Sequence, residues 1–167
     1  MLAAEALADA FGRVREVARR TVDGLSTEDL ARRPADGANS IAWLVWHLAR
    51  IQDDHLADAF DGEQVWISQG WVARLGLPLD PSETGYGHTA DQVASVVIPP
   101  EQLLAYVEAV HAQTAEYLST LTDPDLDRVV DTSYDPPVTL GVRLVSVISD
   151  DLQHAGQAAY VRGLLGL

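Results

Sequence analysis

The chain has no cysteine among its 167 residues. That excludes disulfides, thiolate metal ligands and a protein thiol nucleophile together, so any sulfur chemistry requires a thiol supplied from outside. Lysine is missing too, every basic side chain being arginine. Schiff-base chemistry on a protein amine and a phosphate-loop lysine are therefore ruled out. A compositional bias toward Ala, Arg, Asp and Gly accounts for both absences without any functional reason. No run of about 20 apolar residues is available to span a bilayer, and no alternating run is long enough to read as a strand. Positive charge is scarce: 11 arginines face 25 acidic residues, giving a net charge of −14 and a pI near 4.4. Such a chain repels phosphate backbones and anionic lipid, so neither nucleic acid nor a membrane is expected as a partner.

What is present reads as a globular protein. The hydrophobic content is 47%, and a chain of this length buries roughly 70% of the surface its unfolded form exposes, so one domain over residues 1–167 is expected to hold together without a structural staple. The first twenty residues carry acidic side chains and helical periodicity where a signal peptide has a basic head and an apolar run. The expected location is the cytoplasm.

Apolar residues recurring three and four apart predict four long helices. The first covers residues 2–22 through Leu7, Phe11, Val14 and Ala18. The second covers 41–60 through Leu44, Leu48 and Ile51, with Asn39 or Ser40 as its N-cap. Pro99-Pro100 opens a third, striped by Leu104, Val107, His111, Thr114, Leu118 and Leu121. The fourth covers 140–165. Residues 61–88, with Trp66, Trp71 and Gly85-Tyr86-Gly87, form a connection longer than compact domains usually carry, and such connections are functional or ordered by short helical turns. Thr89 is placed to cap a short helix over 90–97, and a second connector runs over 122–138. The pattern is an all-α four-helix bundle with long connections.

The buried stripe of the fourth helix contains Leu140, Leu144, Val147, Ala158 and Val161, and on the same stripe lie Asp150, Asp151 and His154. A buried carboxylate costs several kcal/mol unless it is paired or bound to a cation. Asp150 and His154 stand one turn apart on one face, a spacing that lets both reach a single ion and equally suits an ion pair within the bundle. His47, beside Leu44 and Ile51 at the border of the second helix's apolar face, is either a satisfied core histidine or the third ligand. Three N/O ligands suit Zn²⁺, Ni²⁺, Mn²⁺ or Fe²⁺ and leave open positions, as a catalytic site does. His55 and His111 read as helix-interface residues and His88 as a turn residue. Trp43 and Trp46 read as packing, and Trp66 and Trp71 as loop anchors or pocket lids. Arg50 either pairs with Asp53 or Asp54 or grips a substrate carboxylate.

Asn39-Ser40-Ile41-Ala42-Trp43-Leu44-Val45-Trp46-His47-Leu48-Ala49-Arg50, followed by Asp53-Asp54, resembles the second helix of the DinB/YfiT-like metal-binding superfamily. Ser149-Asp150-Asp151-Leu152-Gln153-His154-Ala155-Gly156-Gln157, followed by Arg162-Gly163, resembles its closing helix. The resemblance implies an up-down-down-up bundle whose metal is held by His47, Asp150 and His154. Many members present three histidines, and Asp150 stands where the second would be. The metal domain of mycothiol-dependent maleylpyruvate isomerase is similar in setting a carboxylate beside two histidines.

The expected activity is that of a divalent-metal-dependent transferase or isomerase, with Zn²⁺ the first choice of metal, using a low-molecular-weight thiol of the mycothiol or bacillithiol type on a small electrophile. Arg50, Trp43 and Arg162 are the expected cofactor-binding residues, and Asp54, Asp151 and Arg50 the expected catalytic ones. Two other readings stay open: a metal-dependent hydrolase of small esters or amides, with Asp54 or Asp151 as base, and a noncatalytic metal-binding stress protein. The expected partners are the small thiol and the electrophile, with a homodimer also in view.

Overall fold

A computed structural model describes residues 2–167. Its helices, in chain order, are α1 (Ala3–Val22), α2 (Thr27–Ala31), α3 (Ile41–Ala59), α4 (Val65–Ser68), α5 (Trp71–Leu75), α6 (Ala90–Ser95), α7 (Pro100–Ser119) and α8 (Leu140–Leu165). α1, α3, α7 and α8 form the bundle. α8 packs against α1 and α3, and α7 packs against the same two from the other side, so α1 and α3 stand on one diagonal. Phe11 of α1 shares an apolar cluster with Leu56 and Leu118 near the ends of α3 and α7 and with Leu140 and Leu144 at the start of α8. Toward the other end of α8, Arg162 donates from Nη1 to the carbonyls of Arg20, Thr21 and Asp23, at and just past the end of α1. α1 and α8 therefore run one way and α3 and α7 the other, which is the up-down-down-up arrangement.

Capping sets where the helices begin. Of the two candidates for the second long helix, Ser40 is the cap: its hydroxyl accepts from Trp43 N–H at 3.2 Å and removes one orphan donor of the first turn. Thr89 and Thr139 do the same for α6 and α8. The face of α7 is rotated from the expected stripe. Val107, Thr114 and Leu118 of that stripe are buried, but so are Leu103, Tyr106 and Val110, whereas Leu104 and His111 lie at its border, because Tyr106 reaches inward to a buried carboxylate described next. A short antiparallel ladder pairs β1 (Val129–Asp131) with β2 (Val138–Thr139). No strand was expected there, since segments of three and two residues are too short to show alternation.

Residues 41–50 of α3 are buried on every side. The connection from α3 to α7 wraps the flank that would otherwise face water, and Asp53 anchors it. The Asp53 carboxylate accepts Val65 N–H at 2.7 Å, Trp66 N–H at 2.8 Å and the Tyr106 hydroxyl at 2.9 Å. Arg50 lies 3.6 Å from the same group, and both side chains are fully buried. The Arg50 guanidinium also donates to Gln64 Oε1 at 3.1 Å and to the Glu83 carbonyl at 3.3 Å, and sits 4.9 Å from the centre of the Trp66 ring. One ion pair thus ties α3 to the start and middle of its own covering and to α7.

Candidate metal centre

His47 lies two turns into α3 and is 5% exposed. Its Nδ1 stands 2.6 Å from the carbonyl oxygen of Thr84. A carbonyl only accepts, so Nδ1 carries the proton and Nε2 keeps the lone pair. The approach depends on Gly85, whose φ of +102° is in the region that favours glycine and whose missing Cβ would fall 2.6 Å from His47 Nδ1 and 3.1 Å from the Trp43 ring. Trp43 stacks on the His47 imidazole at 4.6 Å between centroids. Its indole N–H donates to His88 Nδ1 at 3.1 Å, and His88 Nε2–H in turn meets the Glu83 carboxylate. The covering loop therefore fixes both the tautomer and the tilt of His47, as outer partners do for metal-ligating histidines.

On α8, His154 presents Nδ1 to Gln157 Oε1 at 3.1 Å, which again leaves Nε2 as the free nitrogen. That Nε2 is 3.7 Å from Asp150 Oδ1. The His47 and His154 rings meet edge to face, 4.6 Å between centroids. One ligand atom each from His47, Asp150 and His154 lie within 4.8 Å of one another, close enough for one ion after small side-chain shifts. Asp150 Oδ2 is buried and has no hydrogen-bond partner among the described residues. Two imidazole nitrogens and an unmatched carboxylate oxygen converging on one point fit a divalent transition metal. Burial pushes the His47 imidazole below its ordinary value and His154 adds to that, against the Thr84 hydrogen bond and Asp150, so this ring is in its ligating form at neutral pH.

A family model described as the DinB superfamily matches residues 10–158. The chain belongs to the DinB superfamily. Two solved structures are similar to this DinB-superfamily chain. A conserved protein from Enterococcus faecalis is 33% identical with a TM-score of 0.92, the match covering 100% of this chain and 99% of that one. A DinB-like protein from Bacillus cereus is 19% identical with a TM-score of 0.63, over 98% and 93% of the two chains. No curated protein matches the sequence.

The other expected site residues lie in varied places. Trp43 is at the triad, stacked on His47. Arg50 is fully buried and engaged in the Asp53 network, so its guanidinium is directed to the connection and away from any entering ligand. Arg162 is spent on the carbonyls at the end of α1, two turns of α8 beyond His154. Asp54 accepts from Gln64 Nε2 at 2.7 Å and lines a separate groove of about 540 Å³ with His55 and Arg143. Asp151 has no exposed surface, and neither of its oxygens has a partner among the described residues. Burial, with Asp150 beside it, raises the Asp151 carboxyl well above the ordinary range. The two nearby carboxylates offered as bases are thus one bound to an amide and one sealed in the core.

The structure adds residues to the site that the sequence did not single out. A cavity of about 230 Å³ opens at the triad and is lined by His47, Ile51, His55, Tyr86, Ser146 and Asp150, among others. His55 accepts at Nδ1 from Arg143 at 3.2 Å, which places its proton on Nε2, and burial, with Arg143 adding, holds its imidazole below the ordinary value. Its spacing from His47 and Ile51 along one ridge of α3 was the available signal. Gly85 opens the Gly-Tyr-Gly sequence and Thr84 precedes it, but neither gave a sign of touching His47. His88, which reads as a turn residue, has a side chain only 3% exposed and belongs to the relay behind Trp43.

A folded-state value raised above the unfolded one contributes stability at low pH that is lost as pH rises through it. Asp151→Asn in the metal-free protein is therefore expected to raise Tm at pH 8, with the gain shrinking toward pH 4, and to leave zinc stoichiometry unchanged. Thermal melts in EDTA at the two pH values check the first, and metal analysis the second.

Proposed function

We propose that this chain binds one divalent transition metal, Zn²⁺ first and Ni²⁺, Mn²⁺ or Fe²⁺ next, through His47, Asp150 and His154, and serves as an S-transferase or isomerase for a low-molecular-weight thiol of the mycothiol or bacillithiol type and a small electrophile. The reading resembles the chemistry of mycothiol-dependent maleylpyruvate isomerase. The observation that carries it is the convergence of two imidazoles, each with Nδ1 engaged and Nε2 free, on an unmatched carboxylate oxygen beside an open cavity. The metal supplies positive charge that lowers the pKa of a sulfur brought to it. The chain itself supplies no thiol, which is consistent with an external one. His55, in the same cavity with Nδ1 engaged by Arg143 and its proton on Nε2, is the side chain placed to donate a hydrogen bond to a bound thiol or electrophile, the thiol proton passing to solvent. Tyr86, on the cavity rim, bounds the space for the electrophile. A hydrolase reading is less well supported, because Asp54 is hydrogen-bonded in the neighbouring groove and Asp151 has no access to the cavity.

The test is spectroscopic. In the cobalt-substituted protein, a cognate thiol is expected to produce an intense near-ultraviolet sulfur-to-cobalt band and to release a proton to buffer near neutral pH. The band is expected to be lost in His154→Ala. Ester or amide hydrolysis by the metal form alone, with no band from any biological thiol, would replace the transferase reading with the hydrolase one.

A further inference from the structure

Two hollows adjoin along the seam between α3 and α8. The cavity at the triad is walled by His47, Ile51 and His55 of α3 and by Ser146, Val147 and Asp150 of α8. The groove of about 540 Å³ begins where that cavity ends, at His55, which lines both. It continues to Asp54 and Asp58 on α3, to Arg143 on α8, and to Asp131 and Tyr134 of the short hairpin. The two helices run antiparallel, so steps of three and four residues from His47 to Asp58 and from Asp150 to Arg143 lead the same way. At the rise of an α-helix, the seam is about 16 Å long on α3. A ligand with its head at the metal therefore has its tail in the groove.

The charge of the groove follows from where the arginines go, since there is no lysine. Arg13, Arg15, Arg19, Arg20 and Arg32 pair with carboxylates of α1, α2 and α7. Arg33, Arg128 and Arg162 donate to backbone carbonyls, Arg74 lies over the Trp71 ring, and Arg50 is sealed beside Asp53. Arg143 alone lines the groove, and its Nη2 is taken by Asp131 at 2.8 Å and its Nη1 by His55 Nδ1 at 3.2 Å. Asp54 and Asp58 are left without a cation. Asp54 accepts from the neutral amide of Gln64, and His55 beside it is neutral while its Nδ1 accepts from Arg143. The Asp58 carboxylate is exposed and makes no ion pair or hydrogen bond among the described residues.

We propose that the cleft takes a ligand bearing a protonated amine in the part that does not react, held by Asp54 and Asp58, and that it discriminates against carboxylates. At the head of the cleft, a divalent ion with Asp150 keeps one positive charge, which a thiolate cancels. The tail then meets two unmatched carboxylates and Tyr134, 63% exposed at the rim, whose ring attracts a cation through its face. A carboxylate in the same place meets repulsion and no free guanidinium. Each half-exposed ion pair is worth up to about fivefold in affinity, so attraction for one sign and repulsion of the other separate the two by at least about tenfold. The head of the ligand rests on the metal and thiol reading, and the tail rests on the groove alone.

Three thiols with the same six-carbon chain test it in the cobalt-substituted full chain: 6-aminohexane-1-thiol, 6-mercaptohexan-1-ol and 6-mercaptohexanoate. Their end groups are too far from the sulfur to close a stable chelate ring on one metal, so a difference among them reads the groove. Titration of the sulfur-to-cobalt band is expected to give the amine an affinity at least about tenfold above that of the carboxylate, with the alcohol between them. The preference is expected to shrink at 0.5 M NaCl relative to 0.05 M, and to fall below about threefold when Asp54→Asn and Asp58→Asn are combined, with helical circular dichroism unchanged. A second arm uses no sulfur. With one equivalent of Zn²⁺ present, 6-aminohexan-1-ol is expected to shift the amide resonances of residues 54–58 and 131–134, and 6-hydroxyhexanoate is not. If no thiol gives the band while the amine still shifts those resonances, the thiol reading falls and the preference of the groove stands. Equal response to amine and carboxylate in this second arm, or a preference in the first that survives the double substitution, would overturn the proposal.

Discussion

Asp53→Ala is expected to lower the stability of the chain by about 3–5 kcal/mol, the cost of removing one partner from a buried ion pair. The carboxylate accepts from the backbone N–H groups of Val65 and Trp66 and from the Tyr106 hydroxyl, and each becomes a buried donor without an acceptor. Arg50 keeps its charge with no exposed surface, left with Gln64 and a carbonyl as acceptors. For a chain of this size, such a loss moves Tm down by about 10 °C. The neighbouring Asp54→Ala is the control, because Asp54 is partly exposed and, among the described residues, accepts a hydrogen bond from Gln64 alone, and its cost is expected to stay within about 1 kcal/mol. Urea denaturation of the three proteins checks the ranking. Equal losses at the two positions would show that the Asp53 network does not anchor the connection.

The second large effect is on metal. His47→Ala and His154→Ala are each expected to weaken zinc binding by more than about 100-fold, beyond the 10- to 100-fold that loss of an outer partner brings. Gln157→Ala falls in that lesser range, because it removes only the acceptor holding His154. Helical circular dichroism is expected to stay at the wild-type level throughout, since the bundle core does not include the ligand atoms. Competition titration with a chromophoric chelator measures the series. Since burial holds His47 below its ordinary value, its competition with protons begins below about pH 6.5, the ordinary imidazole range, and affinity falls as pH falls further. Wild-type affinity in either histidine variant would remove that residue from the site.

The helices were legible because each carries its own evidence: Ser40 before an apolar run, Pro99-Pro100 at a start, periodic Leu and Val between. The up-down-down-up order came from resemblance, since no local signal states the direction in which one helix meets another. The rotation of α7 was hidden because Tyr106 turns inward to reach Asp53, a partner 53 residues away. The candidate triad was legible as acidic and imidazole groups on an apolar stripe. Of the two adjacent aspartates, Asp150 has its Oδ1 3.7 Å from His154 Nε2, whereas Asp151 is sealed in the core, a difference of one residue's rotation that periodicity does not resolve. Arg50 looked equally suited to a substrate or to an ion pair, and only the course of residues 61–88 across α3 decides that it is buried. His55 and the Thr84 carbonyl are in the site through packing of the connection and of α8 against α3, which lies beyond the reach of spacing along one helix.

The most direct test of a metal centre at this triad is anomalous diffraction at the zinc edge from crystals grown with one equivalent of Zn²⁺. The expected result is a single strong peak about 2.0–2.2 Å from the Nε2 atoms of His47 and His154 and from an oxygen of Asp150. A peak at His55 and Asp54 instead, or no peak from a protein that titrates zinc with micromolar affinity, would contradict it.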